Sequence, residues 1–345
     1  NYNLDDFNHL MNGIALRKAS ASKYPYYAQR KIARCYNYFL KRIDKEIESL
    51  NDESVVDFLL GKYNKVKQAM LVKIEVSSHS DAYVLFESLN NRGTPLTAID
   101  LMKNLIMAKA EGNNLTIDDC FNRWQTLLGN LSEDYSIQER FFRQYYNAFK
   151  HRLNEPFQSD ADRKKDPLGV VATRSNLLNI FESLINKDLP SFLDDILQCG
   201  QIYSWLILQD TIENPYRKAL EDLDHIQGAP SYLLLMYLMR NQEELAVSEE
   251  QINLIIRLLA KYFVRRNITD YPNTRDLTRI FMDIISKLEE AQATGDKVVS
   301  MIIDILSTPT NCASDEQFRR SLEGDVYKDN VGATRYILCK LAEAA

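Results

Sequence analysis

The chain has 345 residues, 45% hydrophobic and 26% charged, with a formal net charge of −6 at pH 7. That is ordinary for a soluble globular chain with room for more than one domain, and it argues against a dedicated nucleic-acid-binding domain, which is basic overall. Only 11 Gly and 9 Pro favour long helices over turn-rich sheets; five widely spaced Cys do not suggest a disulfide framework, and with four His they argue against a zinc site.

Residues 1–26 are weakly periodic and read as a short helix and a loop. From Tyr27 to Leu50 the apolar spacing is strong: Ile32, Tyr36, Phe39, Ile43, Ile47 and Leu50 form one helical stripe. Val55–Leu60 reads as a short helix ended by Gly61. In Leu71–Val76 the residues Val72, Ile74 and Val76 alternate with Lys73 and Glu75, the pattern of a strand. A lone strand cannot satisfy its edges, so it is expected to be the last of a sheet whose other strands lie upstream of this chain.

The segment Asp81–Lys109 reads as helix, tight turn, helix. Ala82, Leu85, Phe86 and Leu89 share one apolar face; Asn91 and Gly93 tolerate positive φ. Thr97 and Asp100 have capping-box spacing, and Ile99, Met102, Leu105 and Ile106 form the second stripe. Glu87 and Asn90 share a helix face, as do Asp100 and Asn104. The turn could bring both pairs around Arg92 and the amides near Gly93 and Thr94.

Beyond Lys109 the pattern is helical almost throughout. Ile117, Phe121, Trp124 and Leu128 mark one helix, and Phe141, Phe142, Tyr145, Tyr146 and Phe149 another. Residues 154–170, with two prolines and several charges, read as a long exposed loop. Further helices are predicted at 174–186, 190–209, 215–224, 229–241, 249–266, 274–289, 294–306, 314–323 and 332–343. The expected fold is mainly α, an irregular multi-helix bundle with one remnant β-strand from a truncated mixed N-terminal domain. Residues 1–110 would be the incomplete first domain and 111–345 a helical scaffold. No apolar N-terminal signal and no run long enough to span a bilayer is present, so no membrane partner and a cytoplasmic location are expected.

Several constellations carry two readings. Asp100 can be a capping acid with no further role, and Asn104 a solvated helix residue. Arg140 and Arg143, with Lys150, His151 and Arg152, interleave with the aromatics of their helix, a pattern that can bind nucleic acid through phosphate contacts and stacking; core packing of the aromatics and a solvated charged face is the favoured alternative. Arg265 and Arg266 close an apolar helix, where structural ion pairing is favoured over DNA contact. His225 lies near a helix end and reads as structural. No nucleophile triad and no Gly-rich phosphate loop stands out, so no catalytic residue is assigned, and no metal ligand.

The segment Phe86, Glu87, Leu89, Asn90, then Arg92, Gly93, Leu96, Thr97, then Asp100, Leu101, Lys103, Asn104 resembles the Phe-Glu-x-Leu-Asn, Arg-Gly-x-x-Leu-Thr, Asp-Leu-x-Lys-Asn pattern of GmrSD-like modification-dependent restriction proteins. These carry a ParB/sulfiredoxin-like N-terminal domain. Weaker similarity to the same family lies in Tyr262–Ile268 with Thr274, and in Arg335–Leu341. The resemblance implies a nucleotide-handling site that includes Glu87, Asn90, Arg92, Gly93, Asp100 and Asn104. It implies a parent protein that uses a nucleoside triphosphate and Mg2+ to drive cleavage of modified DNA, with no cofactor tightly held by this chain. The family's partner motif, an Asp-Gly-Gln-Gln-Arg loop, and its His-Asn nuclease domain do not occur in this sequence. The chain is therefore expected to be the central region of a larger protein, with little activity by itself and only weak, salt-sensitive DNA binding. Its partners would be DNA through the full-length protein, the upstream nucleotide-binding loop and the downstream nuclease domain; a homo-oligomer is left open. The alternative is a non-catalytic helical interaction or assembly module.

Overall fold

The computed structural model describes residues 2–15, 31–48, 50–70, 72, 96–153, 170–209 and 213–344. The expected helix-turn-helix through 95, including Glu87, Asn90, Arg92 and Gly93, lies outside these residues, as does the 154–169 loop. The chain divides into two compact units, Asn1–Glu75 and Val76–Ala345. The described residues are mainly helical, and none of their helices is long and apolar enough to cross a membrane.

In the first unit, α1 spans Tyr2–Ala15, α2 Lys31–Ile47 and α3 Asp52–Lys67, with α1 packed on α2. Asn51 caps α3: its side chain accepts from the Ser54 amide at 2.9 Å. Gly61 does not end that helix, which continues to Lys67. A glycine inside a helix costs only about 1 kcal/mol against alanine, and Lys62 next to it reaches Glu46 of α2 at 2.8 Å.

No strand occurs among the described residues. Of Leu71–Val76 only Val72 is described; it belongs to no regular element and is 83% exposed. The expected remnant β-strand is thus corrected: the alternation gives strand propensity, but a ladder needs a neighbouring strand, and the described residues offer none.

The second unit is an irregular bundle. Its helices are α4 (Ala98–Lys109), α5 (Ile117–Leu131), α6 (Tyr135–Leu153), α7 (Leu177–Lys187), α8 (Leu189–Leu206), α9 (Arg217–His225), α10 (Tyr232–Arg240), α11 (Glu249–Thr269), α12 (Thr274–Glu290), α13 (Asp296–Leu306), α14 (Asp315–Leu322), α15 (Val326–Asp329) and α16 (Val331–Ala344). Local sequence fixes many of the starts. Asp188 caps α8, accepting from the Ser191 amide at 3.0 Å, with Pro190 in the first turn where no amide donor is needed. Ser248 with Gln251, and Ser314 with Gln317, form capping boxes at α11 and α14. The predicted helix 229–241 divides into a 3-10 turn, Ala229–Ser231, and α10, because Pro230 occupies the entry.

Helix α10 is the axis of this bundle. Tyr232 through Met239 are all buried, and the helix packs against α6, α8, α11 and α12. A helix apolar on every side is stable only when enclosed on every side. Helices α5 and α8 approach closely at Gly200, where a Cβ would fall 2.4 Å from Leu127 Cδ1. Phe141, Phe142, Tyr145, Tyr146 and Phe149 of α6 all enter the core, so the aromatic stripe of that helix is core packing.

One polar staple ties α6, α10 and α12. Glu289 Oε1 accepts from the Tyr237 hydroxyl at 2.5 Å, from Arg152 Nη2 at 2.9 Å, and lies 2.9 Å from His151 Nε2. Arg152 also meets Asn241 Oδ1 at 2.8 Å and Glu244 at 3.0 Å. Burial pushes the His151 ring below its usual range, outweighing the attraction of Glu289. Burial raises Glu289, but Tyr237, His151 and Arg152 together hold it below the usual carboxylate range.

Two outcomes follow from this packing. Replacing Leu235 with Ala leaves a cavity in an enclosed helix and is expected to cost about 2–5 kcal/mol, read as a lowered urea midpoint. Both shifts in the staple have the same sign with pH. A histidine depressed in the folded state costs stability as pH falls through the ordinary histidine range near 6.5. A depressed carboxylate loses its stabilisation at lower pH, as the folded group protonates. The melting temperature should therefore fall from pH 7.5 to pH 5, and His151→Gln, which keeps a donor towards Glu289, should flatten that limb; an unchanged limb in the variant would exclude His151 as its source.

Candidate functional site

Of the six residues that the family pattern assigns to a nucleotide site, the described ones are Asp100 and Asn104, both on α4. Thr97 caps this helix. The Asp100 amide donates to Thr97 Oγ1 at 3.2 Å, the Thr97 amide donates to Asp100 Oδ2 at 3.2 Å, and the Thr97 hydroxyl donates to the same oxygen at 2.7 Å. The capping box read from the sequence is present, so Asp100 has a structural duty through Oδ2. Ile99, Met102 and Ile106 are buried, as the apolar stripe predicts.

Asn104 is not a solvated helix residue. It is 5% exposed, and among the described residues its Nδ2 has no hydrogen-bond partner. Helix α4 packs on both α5 and α7, while Asp100 and Lys103 of its polar side stay half-buried. A buried amide donor without an acceptor costs about 1–3 kcal/mol. Such a group stores strain, or meets an acceptor from water, from outside the described residues or from a ligand.

A second polar group, which the sequence reading did not single out, meets the start of α4. Glu139, in the second turn of α6, is 1% exposed. Arg143 Nε lies 3.0 Å from its Oε1, and Arg174 Nε lies 2.8 Å from its Oε2. Both are ion-pair contacts whose angles fall short of well-formed hydrogen bonds, so the charges, more than aligned donors, compensate this buried carboxylate. The Arg174 side chain is 77% exposed and stands just before α7. Tyr135, the first residue of α6, connects this cluster to α4. Burial raises its hydroxyl, the carboxylates of Glu139 and Asp100 add to the rise, and the Arg174 guanidinium and the Ala98 backbone amide oppose it. The starts of α4 and α6, and the segment entering α7, therefore meet around Tyr135. The i,i+4 spacing of Glu139 and Arg143 was a legible signal; Arg174, on a different segment, gave none.

These groups suit phosphate better than a metal held by protein alone. Among the described residues no three His, Cys, Asp or Glu side chains gather closely enough to hold an ion. Asp100 keeps Oδ1 outside the capping box, enough for one position of a Mg2+ ion whose others come from phosphate and water, the usual mode for that ion. An orphaned amide and paired arginines fit phosphate oxygens.

The four arginines considered for DNA are each engaged within the chain. Arg140 Nε donates to the Tyr203 hydroxyl at 3.1 Å, and its guanidinium lies 5.8 Å from the Tyr232 ring centre. Arg143 pairs with Glu139. Arg265 donates to the Ala313 carbonyl at 3.0 Å, meets Asp315 at 2.6 Å and covers the Phe318 ring. Arg266 binds the Pro272 carbonyl at 3.1 Å, Asp270 at 2.9 Å and the Thr274 hydroxyl at 2.8 Å. His225 is the exposed last residue of α9. A cleft of about 1620 Å³ opens between α6, α8 and the segment after α10, over Tyr145, Phe149 and Met239. Its charges are largely paired: Asp195 holds Arg240 at 3.0 Å and accepts from the Tyr145 hydroxyl at 2.7 Å.

Residues 1–107 match the family described as GmrSD restriction endonuclease, N-terminal domain. The match takes in the whole of the first unit and runs through Asp100 and Asn104, and over that span the chain is GmrSD-like. Comparison with curated proteins and with solved structures gives no match.

Proposed function

We propose that this chain supplies part of the nucleotide-handling site of a GmrSD-like restriction protein, together with a helical scaffold that carries that site. The observation that supports this reading most is Asn104: a buried amide on α4, one turn from Asp100, inside the segment that matches the family, whose Nδ2 has no partner among the described residues. In the parent protein the nucleoside triphosphate, with Mg2+, would supply a phosphoanhydride whose hydrolysis drives the DNA-cleaving machinery. This chain's part would be to bind and orient. Asn104 would donate to a phosphate oxygen, and Asp100 would hold the α4 start through Thr97 while offering Oδ1 to the ion's shell. Glu87, Asn90, Arg92 and Gly93 complete the proposed set from the preceding segment. DNA is the proposed partner of the whole protein. Contacts from this acidic chain would be few and salt-sensitive, since Arg140, Arg143, Arg265 and Arg266 are each engaged within the chain.

A second reading has its own observation. Val56, Leu59, Leu60, Tyr63 and Val66 lie along one side of α3, all exposed. An isolated helix of this length is marginal in water, and an apolar side of this kind marks a contact surface. This favours an assembly role.

One pair of variants separates the two readings. Asn104→Leu removes a buried amide donor that has no partner among the described residues and should raise stability by about 1–3 kcal/mol. Under the nucleotide reading the same change weakens Mg-ATP or Mg-GTP binding, read by calorimetry, about tenfold or more. A variant more stable than the parent chain with unchanged nucleotide binding would remove the nucleotide reading. If the chain then sediments as an oligomer that Leu60→Glu dissociates, assembly takes its place.

A further inference from the structure

The cluster around Glu139 has a geometry that structural stapling does not account for. One carboxylate, almost fully buried, faces two guanidinium groups. Arg143, four residues along the same helix, already offers a full countercharge. Burying a carboxylate is costly unless the surrounding groups compensate it, and a second arginine drawn onto it leaves the group with one positive charge more than it needs. That second arginine is also the exposed one: Arg174 touches Glu139 through Nε while most of its side chain faces solvent. An exposed arginine is normally loose. Here a rigid anchor on α6 fixes it beside Tyr135, whose hydroxyl senses the Ala98 amide at the start of α4 and the Asp100 carboxylate. A guanidinium held by one edge presents its remaining donors in a fixed plane, the geometry that suits phosphate oxygens.

We propose that Arg174 is a phosphate-binding residue of the site at the start of α4, and that Glu139 is the positioning residue that holds it there. The proposal rests on the nucleotide reading given above and extends it to a part of the chain outside residues 1–107. The ligand class is an oligophosphate, recognised through its charge and oxygen geometry, with the base and sugar lying elsewhere. Arg143 keeps Glu139 neutralised, so that Arg174 retains charge to offer.

The test uses the whole chain and two probes, Mg-ATP and inorganic tripolyphosphate, followed by calorimetry and by thermal melting. Arg174→Ala is expected to weaken binding of both probes about tenfold or more, with the melting temperature unchanged because the side chain is exposed. Arg174→Lys should recover part of the affinity as a point charge without the planar fork. Glu139→Gln should weaken binding, and Arg320→Ala, an exposed arginine of α14, should leave it unchanged. If Arg174→Ala binds both probes as the parent chain does, the assignment is overturned, and a lowered melting temperature in that variant would mark Arg174 as a staple only. Binding of Mg-ATP that Asn104→Leu weakens and Arg174→Ala does not would sustain the nucleotide reading and remove this inference. Binding of tripolyphosphate alone, dependent on Arg174, would sustain the inference and remove the nucleotide reading. Binding of neither probe by the parent chain overturns both.

Discussion

The second unit depends on the enclosure of α10. Eight consecutive residues, Tyr232 to Met239, are buried, and no sequence of that kind can stand at a surface. Other helices must therefore surround it, and α6, α8, α11 and α12 do so. Enclosure brings a polar cost, since the Tyr237 hydroxyl is carried inside with the ring. Glu289 meets it, and the same oxygen holds Arg152 and His151 from α6. A single carboxylate thus fixes the far end of α6 against α10 and α12. The near end of α6 carries Tyr135 and Glu139, so the helix that closes the core also carries the polar cluster beside α4.

Much of this was legible in the sequence. All the helices after Lys109 except the short α15 were placed to within a few residues, because their apolar spacing is regular and prolines or capping residues mark the breaks. The capping box of Thr97 and Asp100 was legible because it is wholly local, three residues apart. Gly61 misled: it reads as a stop, yet α3 passes through it, since one glycine costs less than the surrounding turns contribute. The strand expected at Leu71–Val76 finds no partner among the described residues. Alternation reports what a segment would do beside a partner strand, and it carries no information on whether a partner exists.

The candidate site shows the limit of local reading most sharply. Asn104 has the spacing of a solvated position, yet it is buried on a helix that packs against both α5 and α7. Glu139 and Arg143 are neighbours on one helix, but Arg174 reaches them from the far side of the segment that joins α6 to α7. No periodicity reports such a meeting. Of the arginines that the pattern did single out, Arg143 pairs with Glu139, and Arg140, Arg265 and Arg266 are anchored to carbonyls, hydroxyls and rings of this chain. A guanidinium that satisfies a buried carbonyl is not free to leave it for a phosphate without leaving that carbonyl unpaired. The exposed and anchored Arg174 has no such conflict.

The central claim is that a nucleotide engages the start of α4. Backbone hydrogen exchange, measured with and without a Mg-nucleoside triphosphate, addresses it directly, because protection reports where ordering occurs. The account predicts slowed exchange over residues 96–104 and at the start of α6 near Tyr135, with α10 unchanged, since it is already enclosed. Protection confined to the rim of the large cleft, residues 241–248, or no protection anywhere at saturating nucleotide, would contradict it.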